Sequence, residues 1–148
     1  MDTIKVLYGT ESGNAELVAD DIAETFNAAG AKAEVIAMAL YDATELYEAG
    51  TVVVITSTYG EGELPDTTAP FQEALLAARP DLSGLRFAAF GLGDSTYDTY
   101  NNAIAVLSAD LRALGAQQVG ETGRHDAASG ESLTDVAVAW AAGVLGAL

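Results

Sequence analysis

Three short stretches hold the residues best suited to chemistry. The first is Thr10, Glu11, Ser12, Gly13, Asn14 and Ala15. Its small residues let backbone approach a ligand, and Gly13 permits angles that other residues resist. Thr10, Ser12 and Asn14 add side-chain donors. A helical pattern comes next, so an anion there would meet the first N–H groups and the positive end of a helix dipole. The stretch has no Lys or Arg and matches neither GxGxxG nor GxxxxGK[ST], so alone it reads equally as an ordinary capped turn. The second stretch, STYGEGELPD, runs from Ser57 to Asp66 and sets Thr58 and Tyr59 beside Gly60, Glu61 and Gly62. The third, GLGDSTYDTYNN, runs from Gly91 to Asn102 and contains Leu92, Gly93, Asp94, Tyr97, Tyr100 and Asn101. Each taken singly also reads as a polar surface turn. Together they suit a flat, phosphorylated, aromatic ligand, because tyrosine faces stack on a heterocycle at modest entropy cost. No carboxylate pair, nucleophile–base set or His/Cys ligand spacing stands out. His125 is the only histidine, and we expect it to be a solvated loop residue.

The elements that must position these stretches alternate along the chain. Strands are expected at 4–8, 33–37, 51–57 and 86–91, with a weak fifth at 116–120. The continuous apolar run of Thr51 to Ser57 suits a central parallel strand buried on both faces. Helices are expected at 14–29, 69–78, 100–114 and 132–145. In the first, Val18, Ile22 and Phe26 share a face, with Gly30 as its stop. In the third, Ile104, Leu107, Leu111 and Leu114 do so, with Gly115 as its stop. Ser132 is the expected cap of the last, which turns Leu133, Val136, Ala137, Trp140 and Val144 inward. This β/α alternation implies a parallel sheet with helices on both faces, a flavodoxin-like three-layer sandwich of order 2-1-3-4-5. In that order the ligand crevice lies beyond the carboxyl ends of strands 1 and 3, where the three stretches fall.

Composition narrows the function classes. The chain has 148 residues, enough for one domain with a substantial core. We expect a single domain over 1–148. Twenty-two acids against six scattered bases give a net charge of −16, which argues against nucleic acid as a partner. Such a surface attracts basic protein partners, and composition reads equally as solubility or a salt-adapted origin. No run reaches the roughly 20 apolar residues of a membrane helix, and the start MDTIKVLYG does not read as a secretory signal. There is no Cys. The expectation is a cytoplasmic, acidic, monomeric protein, and the Met1 start with a full set of elements favours a stand-alone chain.

The sequence resembles the flavodoxin family over its whole length: the short-chain flavodoxins, the small MioC-like members and the FMN domains of diflavin reductases. TESGNA, STYGEGELPD and GLGDSTYDTYNN carry the likeness, in order and at family spacing. The resemblance implies FMN as cofactor. Thr10, Ser12, Gly13 and Asn14, with the Glu11 backbone, would hold its phosphate, and Ala15 stands where many flavodoxins have Thr. Ser57 or Thr58 would add a hydroxyl. Tyr97 would stack on one flavin face and Tyr59 on the other, less squarely. Asp94 and the backbone of Leu92 and Gly93 would meet the pyrimidine edge, with Tyr100 and Asn101 nearby. The Gly60–Glu61 peptide would turn over on one-electron reduction and accept a hydrogen bond from the newly protonated flavin N5. There is no room between Gln117 and Ser132 for the long-chain insertion, and 121–131 matches the family poorly.

The resemblance implies a single-electron carrier. It would take electrons from an NADPH-dependent flavodoxin/ferredoxin reductase and pass them to redox enzymes such as cytochrome P450 or biosynthetic enzymes, docking through their basic patches. It would not be a stand-alone catalyst. The alternative is a small FMN-dependent quinone or nitro reductase on the same fold. A receiver domain shares the strand order but needs an acidic cluster after strand 1 and a phosphorylatable Asp after strand 3, and neither is present.

Overall fold

The computed structural model describes residues 3–9, 13–57, 68–93 and 102–148, the side chain of Asn102 excepted. Its frame is a set of short apolar strands, β1 (Ile4–Gly9), β2 (Ala33–Ala37), β3 (Thr51–Ser57) and β4 (Arg86–Gly93). All pair in parallel, in the order β2-β1-β3-β4. Parallel strands need cover on both faces, and four helices supply it: α1 (Asn14–Ala28), α2 (Ala69–Ala78), α3 (Asn102–Ala113) and α4 (Leu133–Leu145).

Alternation along β3 divides the core in two. Val52 and Val54 pack with Leu7, Phe87, Phe71, Leu75, Ile104, Leu107 and Leu111 on the α2/α3 side. Val53 and Ile55 pack with Val6, Val18, Ile22, Phe26, Phe90 and Ala141 on the α1/α4 side. The helical faces expected from sequence turn to the core, with Leu114, Leu133, Val136 and Trp140 packed against it half-buried, and Ser132 caps α4 by accepting from the Asp135 N–H at 3.3 Å. Trp140 is pinned at two points. Its ring meets Phe90 edge-on at 5.3 Å, and its Nε1 donates to the Glu121 carbonyl at 3.1 Å.

Three departures from the sequence-based expectations concern edges. β4 runs two residues beyond Gly91. The fifth strand is two pieces, β5 (Gln117–Gln118) and β6 (Gly123–Asp126), both parallel to β4. Between them the edge takes five residue steps from Gln118 to Gly123 against three from Phe87 to Phe90. Two extra residues preserve the facing of side chains, since the strand period is two. The third departure is a pair of 3-10 turns, Met38–Leu40 and Ala43–Glu48, between β2 and β3. Asp42 caps the second by accepting from the Thr44 hydroxyl and N–H at 2.6 and 3.0 Å, which holds its carboxyl below the usual carboxylate range.

Ser108 is a flaw in the core. It is buried in mid-α3 and its hydroxyl has no hydrogen-bond partner among the described residues. Ser108→Ala removes an unsatisfied buried group and improves helix propensity. We expect a gain of about 1 kcal/mol, read as a rise of roughly 2–4 °C in a thermal melt.

Candidate functional site

Register fixes where the candidate stretches begin. Gly9 of β1 pairs with Thr56 of β3, which pairs with Gly91 of β4. One row further on, Ser57 lies beside Leu92. Segments 10–12, 58–67 and 94–101 thus leave three neighbouring strands at one edge of the sheet. The chain order reverses between β1 and β3, which is where open α/β sheets bind ligands. Six of the site residues named from sequence are described: Gly13, Asn14, Ala15, Ser57, Leu92 and Gly93. Thr10, Glu11, Ser12, Thr58, Tyr59, Gly60, Glu61, Asp94, Tyr97, Tyr100 and Asn101 lie outside the described residues.

The α1 end is built for close approach. Gly13 occupies its N-cap position with φ 87° and ψ −10°, and a Cβ there would have no atom of the described residues within 4 Å. The cap residue therefore brings no side-chain oxygen to the first turn and no bulk above it, unlike Ser132 on α4. Asn14 opens the helix on its exposed side, and Ala15 is fully buried, tying the turn to the core. The neighbourhood is nonetheless negative. The Tyr8 hydroxyl is held above its ordinary pKa by burial first, then by the charge of Glu16 and its hydrogen bond to that residue, then by Asp20. A helix start whose flanking residues 10–20 include no Lys or Arg fits a phosphate held by neutral donors.

Two features of this edge are not apparent from the sequence. One is a buried hydroxyl pair: Thr56 Oγ1 and Thr68 Oγ1 are 2.8 Å apart, joining the end of β3 to the start of α2. The other is β6, which lays His125 beside Leu92 and Asp126 beside Gly93. His125 is thus a strand residue rather than a loop residue, though still half-exposed, and its Nε2 lies 2.9 Å from the Glu131 carbonyl. Asp126 starts a closed turn, accepting from the Ala128 N–H at its carboxylate and from the Ser129 N–H and hydroxyl at its carbonyl. The DAASG composition after His125 is the available signal for that turn.

The flavodoxin family model matches residues 6–140. The chain belongs to the flavodoxin family. This flavodoxin is 43% identical over 122 residues to Protein MioC of Escherichia coli, an overlap covering 82% of each chain. It is 33% identical over 138 residues to NADPH-dependent diflavin oxidoreductase 1 of Cryptococcus neoformans, covering 91% of this chain and 22% of that one. Among solved structures, a mutant flavodoxin from Pseudomonas aeruginosa superimposes with a TM-score of 0.89 at 32% identity, covering 99% of this chain and 98% of the other. Flavodoxins are FMN-binding electron carriers, and the edge described above fits such a cofactor.

Gly13→Ala places a Cβ on a left-handed residue with no atom of the described residues in its way, so the expected cost is backbone strain. We expect a loss of about 1 kcal/mol and a melt lower by roughly 2–4 °C. Gly13→Asn, which tolerates that conformation better, is expected to lose less.

Proposed function

We propose that this chain carries single electrons on FMN between an NADPH-dependent flavodoxin/ferredoxin-type reductase and an acceptor redox enzyme. It works as one domain and is not itself a catalyst. The observation that supports this best is the shared row of Gly9, Thr56 and Gly91. It starts a phosphate-type turn and two tyrosine-bearing segments from adjacent strands.

In this reading Thr10, Ser12, Gly13 and Asn14 bind the phosphate through N–H groups and hydroxyls, with the Glu11 backbone and a hydroxyl of Ser57 or Thr58. Tyr97 and Tyr59 take the two ring faces, excluding water from them. Leu92, Gly93 and Asp94 orient the pyrimidine edge, flanked by Tyr100 and Asn101. The chemistry supplied by bound FMN is one-electron transfer. The Gly60 carbonyl would accept a hydrogen bond from the ligand in one redox state only, which would bias that state as any linked equilibrium requires. Glu61, Glu63, Asp66, Asp94 and Asp98 raise the cost of added negative charge nearby.

The acidic excess of −16 suits brief docking on basic patches of both partners, a cytochrome P450 being one such acceptor. Those encounters should slow as salt rises.

Purified with FMN, the protein is expected to show flavin absorbance and to reduce in two separated steps under dithionite. Tyr97→Ala should weaken FMN binding about tenfold, the equivalent of roughly 1.4 kcal/mol. Gly60→Val should narrow the separation between the two steps. A protein that ignores FMN would end the reading. Steady turnover of NADPH with a quinone, without added reductase, would replace the carrier by a reductase.

A further inference from the structure

Thr68 stands at the N-cap of α2, where a threonine hydroxyl ordinarily accepts from a first-turn N–H, a bond worth about 1 kcal/mol. Here it makes no such bond. Its Oγ1 instead lies 2.8 Å from Thr56 Oγ1, and both residues are 0% exposed. Thr56 Oγ1 donates in turn to the Ser57 carbonyl at 3.1 Å. A hydroxyl has one proton to give. With that of Thr56 committed to Ser57, Thr68 must be the donor of the pair. The chain of hydrogen bonds therefore runs from Thr68 to Thr56 to the Ser57 carbonyl.

Thr68 also closes the gap to β1. A Cβ on Gly9 would collide with Thr68 Oγ1, lie 3.0 Å from its Cβ and lie 3.2 Å from Met38 Sδ. So Gly9 is glycine because the Thr68 side chain rests against its backbone. One side chain thereby ties β1, β3 and α2 together. The tie spans the two ends of segment 58–67: Ser57 immediately precedes it and Thr68 immediately succeeds it.

We infer that Thr68, acting through Thr56 and the Ser57 carbonyl, is a positioning residue for the FMN-facing segment 58–67. It fixes the separation of the segment's ends and the orientation of the peptide that enters it. The inference rests on the reading that Tyr59, Gly60 and Glu61 meet the flavin. Holding both ends lowers the entropy cost of any ligand contact made from between them. A buried hydroxyl chain is a stiffer tie than apolar packing, because its geometry is directional.

The test compares the parent with Thr68→Val, Thr68→Ser and Thr56→Val, and with the double valine variant. Each is titrated with FMN by flavin fluorescence, reduced stepwise with dithionite, and melted without FMN. In Thr68→Val the Thr56 hydroxyl keeps its Ser57 acceptor, so no buried donor is orphaned and the fold should persist. Thr68→Val and Thr56→Val are expected to weaken FMN binding about five- to tenfold and to change the separation of the two reduction steps. Thr68→Ser keeps the donor and should stay within about twofold of the parent. The double variant should be no weaker than either single one, as coupled residues require. Parental FMN affinity and reduction steps in Thr68→Val or Thr56→Val, even with a lowered melt, would reduce the pair to a structural role and overturn the inference. So would a Thr68→Ser protein as weak as Thr68→Val, since keeping the hydroxyl donor would then preserve nothing. A parent that binds no FMN would instead sink the cofactor reading, and this inference with it.

Discussion

The parallel register of β1, β3 and β4 is the constraint on which the rest of the molecule depends. Parallel strands expose apolar side chains on two faces, so neither face can be left to water. In β3 this demand is met by Val52 and Val54 on one side and Val53 and Ile55 on the other. Helices must then alternate with strands in sequence, and every strand must point its carboxyl end the same way. The consequence is functional. Whatever leaves Gly9, Ser57 and Gly93 leaves from one edge, and the helix after β1 points its positive end there.

How much of this is legible in sequence depends on whether a residue's partner is local. The run TVVVITS announces a strand by itself, and the stripes Val18–Ile22–Phe26 and Ile104–Leu107–Leu111 announce their helices, because period and composition are properties of the segment alone. The edge of the sheet is different. Gln117 and Gln118 have little strand character. They pair because Arg86 and Phe87 present a free ladder, and the chain then detours by two residues before pairing again at Gly123. The extension of β4 to Gly93 has the same origin, since its last residue pairs with Asp126 of β6. The 3-10 turns between β2 and β3 show no periodicity to read, being set by the buried Met38, Ala43 and Leu46.

The site divides along the same line. Small residues after β1 and tyrosines after β3 and β4 can be recognised by type, and the family likeness arranges them. Thr56 and Thr68 cannot. Each looks like an ordinary strand or cap threonine, and only the tertiary structure brings the hydroxyls within 2.8 Å. The same holds for Gly9, whose lack of a side chain serves close packing against Thr68. His125 reads as a loop residue because its surroundings, GRHDAASG, are those of a loop, whereas β4 supplies the ladder that makes it a strand.

A chain of charge −16 whose proposed phosphate site lies near Glu16 and Asp20 has two physical options. It can add local cations, which would sit within a few ångströms of carboxylates and be partly neutralised by them. Or it can use donors whose strength does not depend on net charge. N–H groups at a helix start are of the second kind: their dipoles are fixed by the fold and are not screened by side-chain rearrangement. Gly13 at φ 87° allows such an approach without side-chain bulk. The surface is then free to remain acidic for encounter with partners, while the binding energy comes from short-range geometry. That separation places a stricter demand on the fold than a salt bridge would, because neutral donors lose strength steeply with misalignment. In the proposed reading the hydroxyl tie beneath the β3 exit meets a demand of the same kind for segment 58–67: at an edge where charge cannot do the holding, position must.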